Sequence, residues 1–257
     1  MKVAICQMDI IWENKRENYM KAADYIRSAA KQGVDIILFP EMSFTGFSMN
    51  ISITKEKNYE TVHFMKKESL NNKISIGFGW VKENGTKAEN HYTIIDYNGN
   101  ILLDYIKIHP FRYALEHEKF ISGDSISTCL INGYRISTFI CYDLRFPEIF
   151  QSVSNEVSAI IIPANWPKNR SEHWKCLLRA RAIENQVYIL GVNCVGEKND
   201  IDYSGDSCII NPLGEIVEML SNKEGLIIKD IEDDVSIIRN EFPIKMDRKV
   251  EFYKKIL

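Results

Sequence analysis

Short apolar runs alternate with stretches of helical patterning along this chain, the rhythm of an α/β protein. Val3 to Met8 reads as a strand, and VDIILFP, ending at Pro40, reads as a strand buried on both faces. KISIGFGW is a third, and HYTIIDY and ILLDYIKI are two more, joined by Asn98-Gly99-Asn100, a hairpin signal. Ile136 to Ile140, VSAIIIPANW and VYILGVN repeat the buried-strand pattern further on. Helical spacing runs from Asn18 to Lys31 through Met20, Ala23, Ile26 and Ala30, with Gly33 placed to end the helix. It returns from Tyr59 onward, from Leu144 to Phe150, and after Ser171, which is placed to cap a helix with Trp174, Leu177, Leu178 and Ala182 on one face. Val195 to Ser204 reads as a glycine-containing loop, and Asn211 to Gly214 as a turn between two strands. The tail from Asp233 to Leu257 is charged, with sparse apolar residues such as Ile237, Ile238, Phe242 and Phe252. It reads as a surface-hugging or subunit-bridging extension. No linker or repeat divides the chain, so residues 1–257 are expected to form a single domain.

Composition narrows what such a fold does. With 257 residues, 45% of them hydrophobic, the chain can bury one large core. A net charge of -3 provides no basic field for nucleic acid or anionic lipid, which leaves a small molecule or a protein as partner. The opening MKVAICQMDIIW is followed at once by the charged ENKREN, which is not a signal sequence, and no apolar stretch approaches a membrane span. Six scattered cysteines without a CxxC pair read as reduced thiols, and the expected location is the cytoplasm.

Candidate chemistry sits at strand ends. Glu41, in FPEMSFTGF, follows a buried strand, where α/β proteins place reactive groups. Lys107 closes ILLDYIKI. Cys141 lies where ISTFI gives way to YDLRFPE, a strand-to-helix junction that pushes a side chain outward while the following N–H groups face what it attacks. Each also has an ordinary reading, as a solvated glutamate, a surface lysine and a small buried thiol. The loop FRYALEHEKFISGD, with Glu116, His117 and Glu118, is too irregular for core and long enough to be functional or disordered. No histidine carries the signature of a papain-like partner to Cys141, no spacing suits zinc, and GFG at Gly77 to Gly79 lacks the residues of a phosphate loop. His109 reads as a structural hydrogen-bonder, and Trp166 as core or as a pocket wall. Arg145, Arg179 and Arg181 read most simply as ion-paired. Arg112, Arg145 and Lys168 are each able to bind a substrate carboxylate, and the sequence does not choose among them.

In order and surroundings, FPE, YIKIHPF and CYDLRFPE resemble the signatures of the nitrilase superfamily, the carbon-nitrogen hydrolases that use glutamate, lysine and cysteine together. The resemblance runs from VAICQMDI to NPLGEI. It implies a four-layer α-β-β-α sandwich, subunits associating as a homodimer or larger homo-oligomer through the helices flanking the cysteine, and no cofactor or metal. It assigns Glu41 as base, Cys141 as nucleophile, Lys107 and the backbone N–H of Tyr142 as oxyanion donors, and Glu116, ahead of Gly123, as the second glutamate. The stretch PANWPKNRSEHWKCLLRARAIENQVYILGVN with YSGDS looks like the branch of ω-amidases that deamidate 2-oxo acid amides such as 2-oxoglutaramate and 2-oxosuccinamate. The implied partner is a small amide bearing a carboxylate, for which Trp166, Arg112 and Arg145 are the candidate pocket residues. Alternatives are an N-carbamoyl amine or amino acid hydrolase and a non-catalytic binding protein of the same fold.

Overall fold

Alternation with a period of two decides how the apolar runs are used. In β1 (Lys2–Gln7), Val3 and Ile5 join one cluster of buried side chains while Ala4 and Cys6 join another. In β2 (Ile36–Leu38), Ile36 and Leu38 enter the first cluster and Ile37 the second. A strand with apolar matter on both faces belongs inside a layered fold. The structure, a computed structural model, describes residues 1–256.

β3 (Ser75–Asn84), β4 (Lys87–Ile95) and β5 (Ile101–Ile106) extend the sheet begun by β1 and β2. A second sheet is built from β6 (Thr128–Ile131), β7 (Tyr134–Thr138), β8 (Ala159–Ala164), β9 (Tyr188–Asn193), β10 (Val195–Lys198) and β11 (Ile201–Ile210), with β12 (Ile216–Ser221) beside β11. β13 (Gly225–Asp230) then returns to the first sheet, antiparallel to β1. The orders are β13-β1-β2-β3-β4-β5 and β10-β11-β9-β8-β7-β6, each with three parallel strands at its centre. The inner faces meet through Val3, Ile5, Leu38, Tyr92 and Ile94 on one side and Ile136, Ile161 and Leu190 on the other.

Helices close the outer faces. α1 (Lys15–Lys31) is followed by the one-turn α2 (Ile51–Thr54) and by α3 (Glu60–Asn72). Ala22, Ile26 and Ala29 of α1 and Val62 and Met65 of α3 pack against Ala4, Ile37 and Phe78. α4 (Glu116–Lys119) is a single turn ahead of β6. On the second sheet, α5 (Pro147–Val153) and α6 (Ser171–Asn185) bury Phe150, Val153, Trp174, Leu178 and Ala182. α7 (Val235–Glu241) and α8 (Val250–Ile256) lie in the tail. The result is the expected α-β-β-α sandwich.

Several local expectations need correction. The buried stripe of α1 runs through Ala22, Ile26 and Ala29, so Met20 is exposed; polar Asn18 is buried because it bonds the backbone of Ile11 and Phe44. Ser171 does not cap α6, since its hydroxyl donates to Asp206 at 2.7 Å. Val195 to Ser204 is a hairpin of β10 and β11, turned at Asn199 and Asp200 with positive φ, the geometry that a two-residue hairpin turn needs. The helix expected from Leu144 is split into a 3-10 turn, Cys141–Arg145, and α5, because Pro147 starts a new helix at its first position. The tail is fastened to the ends of α5 and α6: Arg239 donates to the carbonyls of Ser154 and Val157 at 2.7 and 2.9 Å, and Gln186, just past α6, donates to that of Phe242 at 2.8 Å.

Gly79 links this framework to Glu41. A Cβ on Gly79 would stand 2.4 Å from the Met42 nitrogen and 2.8 Å from the Pro40 carbonyl, so only glycine lets β3 lie against that segment. Gly79→Ala is expected to lower stability by about 1–3 kcal/mol, the usual range for overpacking. A urea midpoint equal to wild type would show that the segment yields freely.

Candidate active site

Glu41 follows β2 by three residues, in a segment pinned along β3. Phe39 and Ser43 donate backbone hydrogen bonds to the Gly77 and Gly79 carbonyls at 2.8 and 3.0 Å, and Gly79 returns one to the Ser43 hydroxyl at 2.9 Å. Met42 holds φ at 42°, a costly backbone state for a side chain of this size, which that ladder sustains. Lys107 is the first residue past β5, with its N–H on the Asn90 carbonyl and its own carbonyl accepting from Gly123, both at 2.9 Å. Glu116 opens α4.

These groups converge. Lys107 Nζ donates to Glu41 Oε1 at 2.8 Å and to Glu116 Oε1 and Oε2 at 3.1 and 2.9 Å. Asn90 Nδ2 donates to both carboxylates, at 2.9 and 3.2 Å. The backbone N–H groups of Asn165 and Phe111 complete the shell, donating to Glu41 Oε2 at 2.9 Å and Glu116 Oε2 at 2.5 Å. All three charged side chains are fully buried. Glu41, Lys107 and Glu116 thus form one contiguous cluster.

Cys141 stands at the start of the 3-10 turn with φ at 48°, so its side chain leaves the strand direction sharply. Asp143 fixes that turn: its carboxylate accepts from the N–H of Ile140 and of His109 at 2.9 Å each, from Tyr105 Oη at 2.8 Å, and meets His109 Nδ1 at 2.7 Å. His109, stacked on Phe146 at 3.8 Å, is the structural hydrogen-bonder anticipated. The Cys141 thiol lies in the fields of Glu41, Lys107 and Glu116.

The charges set one another's protonation. Burial opposes the Lys107 ammonium, but Glu116 and Glu41 outweigh it and hold its pKa well above the ordinary lysine range. Burial lifts Glu116 above the usual carboxylate range, with Lys107 opposing and Glu41 adding to the rise. Burial, and then the Glu41 charge, push the Cys141 thiol up against the pull of Lys107. At neutral pH the sulfur is therefore a thiol with a carboxylate beside it, an arrangement suited to proton transfer during attack.

A cavity of about 260 Å³ opens beside Cys141, lined by Phe47, Phe111, Tyr142, Arg145, Trp166 and Arg170, with Ile201 and Tyr203 from the β10–β11 hairpin. Trp166 is both core and wall, being 3% exposed yet facing the cavity. Arg145 lines it too, but not as an ion pair: it stacks over Trp166 at 4.9 Å and donates to His173 Nδ1 at 3.3 Å. Arg112 is exposed and does not line the cavity, whose rim takes its neighbours Tyr113 and Ala114 from the 3-10 turn Arg112–Ala114 instead. Lys168 is likewise exposed and off the cavity. Arg179 bonds the Gly214 carbonyl rather than an acid, whereas Arg181 does pair with Glu184 at 2.9 Å, though buried.

Sequence reasoning missed Asn90, Arg170 and the hairpin wall. Asn90 had a signal: the period of β4 puts it on one face with Tyr92 and Ile94, so a polar residue pointed inward. Asn165, noted only as part of a motif, clamps Glu41 twice, since its Nδ2 also donates to the Glu41 carbonyl at 2.7 Å. Among the described residues no cluster of three His, Cys, Asp or Glu could hold a metal, and no helix is long and apolar enough to cross a membrane.

Fold and cluster together define a layered α/β hydrolase. The chain belongs to the carbon-nitrogen hydrolase family, whose model matches residues 2–240. It is 30% identical over 256 residues to a 2-oxoglutaramate amidase of Bacillus subtilis, covering 98% of both chains. It is 34% identical over 220 residues to the omega-amidase YafV of Escherichia coli, covering 84% of each. Among solved structures, XC1258 of Xanthomonas campestris, a CN-hydrolase superfamily protein with an arsenic adduct in the active site, superposes with a TM-score of 0.91 at 27% identity over 97% of both chains. An amidase of Nesterenkonia shares the fold at a TM-score of 0.90 and 20% identity over the whole of each chain.

Removing the central cation exposes the electrostatic logic. Lys107→Met leaves two buried carboxylates without their cation, a loss of about 3–5 kcal/mol in stability. Glu116, already raised, rises further. A carboxyl whose folded pKa exceeds its unfolded value of about 4.3 keeps its proton in the fold while the unfolded chain releases it, so stability falls as pH climbs through that window. The deficit against wild type is therefore expected to be larger at pH 8 than at pH 5.5 in urea titrations. Equal deficits at both would contradict this account.

Proposed function

We propose that this chain is an ω-amidase that releases ammonia from a small carboxylate-bearing amide of the 2-oxo acid type through a cysteine thioester. The observation that carries the reading is the Glu41–Lys107–Glu116 cluster beside the Cys141 thiol at a small cavity. The amidase names of its relatives, at 30–34% identity, support the substrate class.

In the first half-reaction, Glu41 takes the Cys141 proton as sulfur attacks the amide carbon. The carbonyl oxygen becomes an oxyanion, held by Lys107 and the backbone N–H of Tyr142; losing one such donor typically costs about a hundredfold or more. As the tetrahedral adduct collapses, the carbon–nitrogen bond breaks, Glu41 returns the proton to nitrogen, and ammonia leaves. Water then attacks the thioester, giving its proton to Glu41, and the C–S bond breaks to yield a carboxylic acid and the regenerated thiol. Glu116 acts through Lys107, holding the ammonium in place. We further propose that the protein is a single domain, acts in the cytoplasm and pairs into a homodimer or larger homo-oligomer. Exposed Ile237, Phe242 and Met246 in the tail beside α5 support an apolar contact between copies.

Wild-type protein is expected to release ammonia from 2-oxoglutaramate without carbon dioxide, and Cys141→Ala to lose at least about 10⁴-fold in kcat, the scale of losing a nucleophile, with an unchanged melting curve. A poor 2-oxo amide should leave an acyl mass adduct on a peptide containing Cys141. Turnover by Cys141→Ala would refute the mechanism, and release of carbon dioxide with ammonia from a ureido substrate instead would mark a carbamoyl hydrolase.

A further inference from the structure

Arg170 is the cation that the rest of the cavity leaves unanswered. It ends the 3-10 turn Lys168–Arg170 between β8 and α6, and its backbone is fixed: its N–H donates to the Pro167 carbonyl at 3.0 Å and its carbonyl accepts from Trp166 Nε1 at 2.8 Å. The guanidinium sits over the Phe111 ring at 5.6 Å, and among the described residues it has no hydrogen-bond or ion-pair partner. Phe111 is in turn tied to Glu116 through its N–H at 2.5 Å, so Arg170 is held in register with the Lys107 cluster. No aspartate or glutamate lines the cavity, although two arginines do. Arg145 is the more constrained of these, spanning Trp166 and His173.

A half-buried guanidinium against aromatic walls, without a counter-charge, is poised for an anion small enough to share the cavity with an amide group at Cys141. Its planar fork matches a carboxylate in two parallel hydrogen bonds. We infer that Arg170 reads the carboxylate of the substrate and sets the preference for acidic over neutral amides, with Arg145 as a secondary contact. The inference rests on the amidase reading above and goes beyond it by naming the specificity residue.

The test compares 2-oxoglutaramate with its 1-methyl ester, which keeps the scissile amide and loses only the charge. Wild type should favour the acid. Arg170→Gln should lower kcat/KM for the acid by about 10- to 100-fold, the worth of a hydrogen bond to a charged group, while leaving the ester unchanged. Arg170→Lys, which keeps the charge but not the fork, should fall between, and calorimetric binding of 2-oxoglutarate to each variant should weaken in the same order. Equal losses on acid and ester, a loss confined to Arg145→Gln, or a wild type indifferent to the ester would each overturn the role of Arg170 while the amidase reading stands. A wild type that cleaves neither compound would instead remove the amidase reading and this inference with it.

Discussion

Everything at the centre of this molecule depends on one ammonium held between two carboxylates away from bulk water. Lys107 alone would be expelled or neutralised at such depth, and Glu41 and Glu116 alone would repel one another. Together they form a set whose hydrogen bonds are met by Asn90, Asn165 and Phe111. Such a set confers little net stability compared with apolar packing. What it confers is position: a proton acceptor and a fixed positive charge, neither able to relax, beside a sulfur that has no means of ionising alone.

The polarity of the cavity follows from that arrangement. Its inner end reaches Cys141 and Asn165, behind which the acid and ammonium groups lie buried, while its wall carries arginines set on Trp166 and Phe111. A molecule with an uncharged amide at one end and an anion at the other meets a matching gradient of charge, and the reversed orientation does not.

The layered architecture was legible because period-two strands with both faces apolar admit few alternatives, and the three signatures at strand ends were legible because each follows a recognisable strand. What stayed hidden depended on three-dimensional company. Asn90 looked like one polar residue in a strand until its amide was seen bridging two carboxylates. Arg112 and Arg170 carry the same side chain, and only the direction of their turns separates an exposed residue from a cavity wall. The β10–β11 hairpin, rich in polar residues, passed for a loop because its cavity-bordering apolar members, Ile201 and Tyr203, are too few to make a pattern.

One further property comes from where the groups are anchored. Glu41, Asn90 and Lys107 ride on one sheet, while Cys141 and Asn165 ride on the other, and the two are stitched at Glu41 to Asn165 and at Tyr105 and His109 to Asp143. Sliding one layer over the other by about an ångström would misplace base and thiol long before either layer came apart. Turnover is thus a vernier for interlayer alignment, so damage deep between the layers will silence the protein while it still looks whole to a spectrometer.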